Sequence, residues 1–244
     1  MAKEEKRKPM KEIPKKDFDK EAWKPKTELG KKVKSGEIKD IEDILGKGKR
    51  ILESEIIEVL LPNLDSQLIE IGQSKGKFGG GKRSIWRQTQ KKTREGNKPK
   101  FATMAIVGNN QGYLGLGFSK AKETVPARER AIRKAKLNII KLRRGCGSWA
   151  CGCKKIHSIP FKVSGKQGSA KIILMPSPKG VGLCVEKECQ KLLKLAGIED
   201  VHSKTFGQTK TKINLIKACF EALKELSRIK ITKEQAKRLG VVDE

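Results

Sequence analysis

Aromatic side chains are scarce in this 244-residue chain: seven Phe, three Trp and one Tyr, 5% of the total. With only 36% hydrophobic residues beside them, two modest domains with polar extensions are expected rather than one large core. Histidine is scarcer still, His157 and His202 alone. No pair of carboxylates and no nucleophile–base motif can be singled out, so the expectation is a protein that is not an enzyme. There is no apolar run of about 18 residues, which argues against a membrane span. The N-terminal MAKEEKRKPMKEIPKKD lacks the apolar centre of a secretion signal. No basic amphipathic helix with large apolar anchors stands out for a membrane surface. Internal repeats of 20–50 residues are missing too, which speaks against a solenoid.

Acidic residues are outnumbered, 28 against 56 Lys and Arg, and the formal net charge is +28. A chain with so much self-repulsion is suited to life against a polyanion, where each neutralised phosphate releases counterions. The charge is also concentrated. Residues 75–100 hold ten Lys or Arg opposed only by Glu95, and residues 128–144 are again basic, whereas residues 51–74 carry acids and no Lys or Arg. The single-residue alternative, solvated surface, does not explain such segregation; one RNA-facing side does. Six cysteines without a secretion signal point to a reducing, cytoplasmic setting, where Cys serves as core residue, metal ligand or redox group.

Taken in order, residues 1–26 read as a basic disordered extension in which Trp23 alone calls for a contact. Leu29, Val33, Ile38, Ile41, Ile44 and Leu45, broken by Gly36 and Gly46, suggest short helical pieces wrapped over a surface. Residues 53–61 form a helix with Ile56, Ile57, Leu60 and Leu61 on one face, Ser54 as N-cap and Pro62 closing it. Residues 64–71 read as a strand. A long basic loop follows to Lys100, and FATMAIVG–NNQG–YLGLGF is a β-hairpin. A helix over 124–142 buries Ala127, Ala131, Ala135 and Ile139 and turns Arg130, Arg133 and Lys134 elsewhere, with Gly145 ending it. The order helix, strand, strand, strand, helix is the plan of a double-stranded-RNA-binding domain, bounded here as 27–144 with its N-terminal wrap.

A connector (145–158) precedes a second, small α+β domain (159–228): strands at 159–163 and 169–175 joined by a turn at SGKQG (164–168), a Pro/Gly loop PSPKGVG, a helix at 185–195, a strand at 201–205 and an amphipathic helix at 213–226. A tail (229–244) follows, with a helix expected only against a partner. The connector holds Cys146-x4-Cys151-x-Cys153-x3-His157. Three sulfurs and an imidazole match a closed Cys3His site for one structural zinc ion. The spacing is not the common C-x2-C knuckle, and the alternative is a turn of small residues. An iron–sulfur cluster fits less well, and a Cys nucleophile lacks a third orienting group.

GKFGGGK (76–82) has the glycine spacing of a phosphate-cradling loop, but Arg83 stands where Ser or Thr must hold magnesium. It reads as backbone approaching RNA phosphate rather than as a hydrolase site. Phe78 and Trp86 either stack on bases or pin the loop. Lys82, Arg83 and Arg87 are its candidate RNA contacts, joined by Arg130, Arg133 and Lys134 on the helix.

TELGKKV, ESEIIEVLL, QKKTREGNKPKF, VGNNQGYLGLGFSKAKE, RERAIRKAKLNI and HSIPFKVSGKQGSAKIILMPSPKGVGL resemble the universal fifth protein family of the small ribosomal subunit, in its archaeal/eukaryotic branch. LLKLAGIEDVHSKTFGQT and NLIKACFEAL extend the resemblance to about four-fifths of the chain. It implies a two-domain α+β fold, a double-stranded-RNA-binding-like first domain and a two-layer second domain. It implies a structural place in the small subunit near mRNA entry, beside the fourth small-subunit protein and touching the eighth, with influence on decoding accuracy and a grip on incoming mRNA. The family's rRNA-binding loop falls on QKKTREGNKPKF, so Lys91, Lys92, Arg94, Lys98 and Lys100 inherit phosphate contacts. Eukaryotic relatives lack the connector cysteines, so metal is not essential to the family fold, and GQSKGKFGGGKRSIWR lengthens the loop relative to many members. The rival reading is a free-standing double-stranded-RNA-binding module, a chaperone or regulator.

Overall fold

The structure, a computed structural model, describes residues 20–21, 23–74, 76 and 83–241. The expectations for Phe78, for Lys82 and for most of the N-terminal extension fall outside them. Helices α1 (Glu28–Ser35) and α2 (Glu42–Leu45) lead into α3 (Ser54–Leu60). Trp23 is buried, and its indole Nε1 donates to Glu53 at 3.2 Å. The backbone N–H groups of Lys26 and Thr27 donate to the other Glu53 oxygen at 2.8 and 2.6 Å. Glu53, not Ser54, therefore occupies the N-cap position of α3, and its carboxylate reaches away from the helix to hold the incoming chain. Trp23, Val33, Ile41, Ile44, Ile56 and Ile57 share one core with Ile139, so the wrap is packed.

An antiparallel sheet follows: β1 (Asp65–Leu68), β2 (Arg87–Thr93), β3 (Gly96–Gly108) and β4 (Tyr113–Ala121), then α4 (Thr124–Leu137) and β5 (Ile139–Lys141). Its order is β1-β3-β4-β5, with β2 also paired to β3. The basic stretch expected as a loop is in part a strand pair. The expected helix over 124–142 stops at Leu137. Ile139 is buried as foreseen, but in β5, opposite Gly115. A stripe spaced every four residues does not mark where a helix ends, and the β-branched pair Ile139–Ile140 favours a strand. Gly115 and Gly117 let α4 lie directly on the sheet: a Cβ on Gly117 would stand 2.1 Å from the Ala131 carbonyl oxygen.

The second sheet is β6 (Val163–Gln167), β7 (Ala170–Pro176), β8 (Leu183–Cys184) and β9 (Val201–Phe206), ordered β6-β7-β9-β8 with β8 parallel to β9. Helices α5 (Lys187–Leu195), α6 (Lys212–Arg228) and α7 (Lys233–Leu239) complete the chain. The strand expected at 159–163 lies instead at Val163–Gln167. Gly165, which suggested a turn, is a point of close approach: its Cβ would meet the Ala218 carbonyl oxygen of α6 at 2.1 Å. Helix α7 docks on its own chain, the Leu239 carbonyl accepting from Cys146 N–H at 2.8 Å.

Met104, Ile106, Leu114 and Leu116 of the first sheet belong to one buried cluster with Leu192, Leu193, Leu195, Ile172 and Leu223 of the second half. The hairpin turn takes part in this docking. Asn110 N–H donates to the Leu195 carbonyl at the end of α5 (3.0 Å), and the Arg144 guanidinium joins the carbonyls of Asn110, Gln111 and Gly197. The Glu188 carboxylate of α5 accepts from Glu70 N–H at 3.0 Å. The hairpin is thus also the joint between the two halves.

Candidate nucleic-acid interface and metal centre

β3 is long enough to outrun its neighbours. Phe101–Gly108 pairs with β4, whereas Gly96–Lys100 pairs with β2 alone, so a two-stranded ribbon leaves the body. Arg94 and Glu95 form its turn, and the Thr93 hydroxyl donates to the Gly96 carbonyl at 2.7 Å. The register sets Lys91 opposite Lys98, Thr89 opposite Lys100 and Arg87 opposite Ala102. Directly opposed residues share a face and alternate residues along a strand share a face. Arg87, Lys91, Lys98 and Lys100 therefore line one side, Lys92 takes the other, and all are exposed. Like charges directly across a ladder destabilise it, so Lys91 beside Lys98 is an arrangement that a bound polyanion would relieve. The one acid, Glu95, meets Lys98 at 2.6 Å in an exposed pair, which offsets little of the charge.

The other expected contacts are distributed differently. Arg83 bridges to Ser74 at the base of the glycine loop. On α4, Arg130, Arg133 and Lys134 are exposed, but Arg133 lies 3.9 Å from Glu55 and its neighbour Lys136 pairs with Glu58. The acidic stretch at 51–74 is therefore packed alongside α4 and draws on part of its charge. Lys141 likewise bonds Glu42, which also accepts from the Tyr113 hydroxyl at 2.9 Å. These donors, Lys141 first, hold the Glu42 carboxyl below its usual range, and burial with the Glu42 contact pushes the Tyr113 hydroxyl up.

The structure brings Cys146, Cys151, Cys153 and His157 together, with their ligand atoms all within 4.8 Å of one another. A paired bridge between Gly145 and Ser158 closes the loop that carries them. Tetrahedral zinc, with sulfur at about 2.3 Å and nitrogen at about 2.0–2.1 Å, spaces a sulfur–nitrogen pair roughly 3.5 Å apart, and Cys151 Sγ stands 3.8 Å from His157 Nε2. The residues fit a Cys3His centre. Burial, then the neighbouring thiols, pushes Cys146 up to about 11, whereas the backbone N–H of Lys179, then that of Cys153, lowers Cys151 to about 6. A thiolate is thus already favoured at one corner of the cluster. Sequence reasoning missed what lies behind His157. Its Nδ1 is 2.8 Å from Asp200 Oδ2, and both side chains are buried. Asp200 is 43 residues away, and no local spacing could have announced it. Of the other cysteines, Cys189 and Cys219 are core residues and Cys184 is exposed.

Among the described residues no helix is long and apolar enough to cross a membrane. Residues 85–143 match the family model for the N-terminal domain of ribosomal protein S5, and residues 165–238 match that for its C-terminal domain. The small ribosomal subunit protein uS5 of Nanoarchaeum equitans is 49% identical over 211 residues, covering 86% of this chain and 90% of that protein. The uS5 proteins of Methanosphaera stadtmanae and Methanothermobacter thermautotrophicus are 45% and 44% identical, each covering more than nine-tenths of both chains. Two domain models in the expected order and near full-length relatives agree with the two-sheet architecture: the chain belongs to the ribosomal protein S5 family.

Proposed function

We propose that the chain is a structural, non-catalytic constituent of the small ribosomal subunit that binds rRNA through its projecting ribbon. Membership of the family places it in the cytoplasmic ribosome. The observation that carries rRNA binding is the ribbon, where Arg87, Lys91, Lys98 and Lys100 form one exposed face with Lys92 and Arg94 beside them. A rigid two-stranded arm holds these cations in register with phosphates and commits no buried surface to the contact. Arg83, Arg130 and Lys134 extend the same basic character over the body, and Arg133 does so less because of Glu55. Lys82 belongs to the proposal on sequence grounds. A position near mRNA entry, contacts with the fourth and eighth small-subunit proteins, a hold on incoming mRNA and an effect on decoding accuracy complete the reading. They rest on family likeness and on the basic surface.

The second part of the proposal is that Cys146, Cys151, Cys153 and His157 hold one structural zinc ion. Zinc would supply cross-linking of the connector only, since all four positions are filled by protein and none is left for a reacting water. The test of the main reading is sedimentation of lysate in moderate salt. The wild-type chain should travel with small subunits, and a chain with Lys91, Lys92, Arg94, Lys98 and Lys100 neutralised should shift to the free fraction. A wild-type chain found chiefly off the ribosome would favour a free-standing double-stranded-RNA-binding module.

A further inference from the structure

We propose that Asp200 is the positioning residue of the Cys/His centre, and that metal binding is coupled through it to the 176–182 loop. This rests on the metal reading above. His157 presents two ring nitrogens to two different neighbourhoods. Nε2 is turned toward the sulfurs, 3.8 Å from Cys151 Sγ, and Nδ1 is 2.8 Å from Asp200 Oδ2. A carboxylate can only accept, so in the neutral imidazole Nδ1 carries the hydrogen and Nε2 keeps its lone pair for a metal. A buried acceptor behind a ligating imidazole fixes both its tautomer and its ring plane.

Asp200 is itself held from the far side. Its Oδ1 accepts from Gly180 N–H at 3.1 Å and from Gly182 N–H at 2.7 Å. Both glycines have positive φ, 91° and 75°, so the loop adopts a backbone that aims two amides at one oxygen. The His157 carbonyl accepts from Glu199 and Asp200 N–H groups at 2.9 and 3.1 Å, and the Ser158 hydroxyl bonds the Asp200 carbonyl. One chain of contacts therefore runs metal ligand, imidazole, carboxylate, loop amides. The loop displays Lys179 and Val181 to solvent, the latter 41% exposed. Fixing the ligands fixes that surface, and by linkage ordering the loop favours the metal.

The plainer role for Asp200 is a loop anchor whose bond to His157 has no bearing on metal. The two roles separate in a four-protein comparison of the full chain: wild type, Asp200→Asn, His157→Cys and the double variant. Zinc affinity is read by competition with a chromophoric chelator, and cobalt(II) spectra report thiolate ligation. Asp200→Asn should weaken zinc about 10–100-fold while the cobalt–thiolate bands persist. In the His157→Cys background, where the fourth ligand is a sulfur with no ring to orient, the same change should leave affinity unaltered. Equal losses in both backgrounds, or none in the first, would overturn the positioning role. Hydrogen exchange on wild type gives an independent reading should Asp200→Asn fold poorly. Zinc should slow exchange at Gly180 and Gly182, and unchanged rates there with zinc bound would overturn the coupling. A wild-type chain that takes up no zinc would overturn the metal reading, and this proposal with it.

Discussion

Neutralising one face of the ribbon gives the sharpest test of how the chain engages RNA. The perturbation is Arg87→Gln, Lys91→Gln, Lys98→Gln and Lys100→Gln together, four side chains that the β2–β3 register places on one side. All four are exposed, so folding has no buried contact to lose, and removing the Lys91–Lys98 opposition should leave the ladder as stable or slightly firmer. Each phosphate neutralised contributes about 0.7–0.9 to the log–log dependence of affinity on salt. Four contacts then amount to roughly three units, and Glu95 beside Lys98 makes the lower end the better figure. Between about 50 and 200 mM salt each unit is a factor of four, so wild type should lose about 60-fold more affinity over that range than the variant. The assay is filter binding or fluorescence anisotropy on small-subunit rRNA across a salt series. Lys92→Gln, alone on the opposite face, should remove at most about one unit. An unchanged slope in the fourfold variant, or an equal effect from Lys92→Gln, would refute a one-sided ribbon.

Three further outcomes follow from the packing and the metal centre. Glu53→Ala removes a carboxylate that three N–H groups between Trp23 and Thr27 share and should cost about 2–3 kcal/mol in denaturant unfolding. Burial raises the Glu53 carboxyl, but the Thr27, Lys26 and Trp23 donors outweigh it and hold it below its ordinary value. The stabilisation is therefore present above about pH 4.3 and lost as pH falls through the lowered value. With Trp86 and Trp149 replaced by Phe, Trp23 fluorescence should report that loss in wild type and not in Glu53→Ala. Gly117→Ala drives a Cβ to 2.1 Å from the Ala131 carbonyl and should destabilise by about 1–3 kcal/mol, measured by thermal melting. Metal analysis should find about one zinc per chain, lost on Cys151→Ser; metal-free wild-type protein that still assembles would assign the cysteines to packing.

What was legible in the sequence tracks what is buried or local. FATMAIVG and YLGLGF read as a hairpin because their apolar residues line a core, and the four candidate ligands stood out because they fall within twelve residues. The ribbon read as a loop for the opposite reason. A strand announces itself by one buried face, and in RQTQKKT every residue but Thr93 is exposed, so its period of two is written in Lys, Gln and Thr with nothing apolar to mark it. Gly165 misled because a glycine that admits a helix looks, in one dimension, like a glycine that makes a turn. Partnerships across the chain, Trp23 with Glu53 and His157 with Asp200, left no local trace.

The shared core changes how the two halves should be pictured. Met104, Ile106, Leu114 and Leu116 would be solvent-facing on an isolated first sheet, since α4 covers only the side bearing Gly115 and Gly117. The second half covers them, and the hairpin turn, Arg144 and Glu188 fix the angle at which it does so. Burial of four such side chains amounts to several kcal/mol, enough to oppose rocking between sheets. The connector then has little need to act as a hinge. Gly145 pairs with Ser158 and the Leu239 carbonyl binds Cys146, so the Cys/His loop is held at its base and by α7 before any metal is considered. Metal would thus fasten an outlying loop to a body already rigid. The same rigidity serves the ribbon, since an arm rooted in a fixed body carries its cations to one place on the RNA.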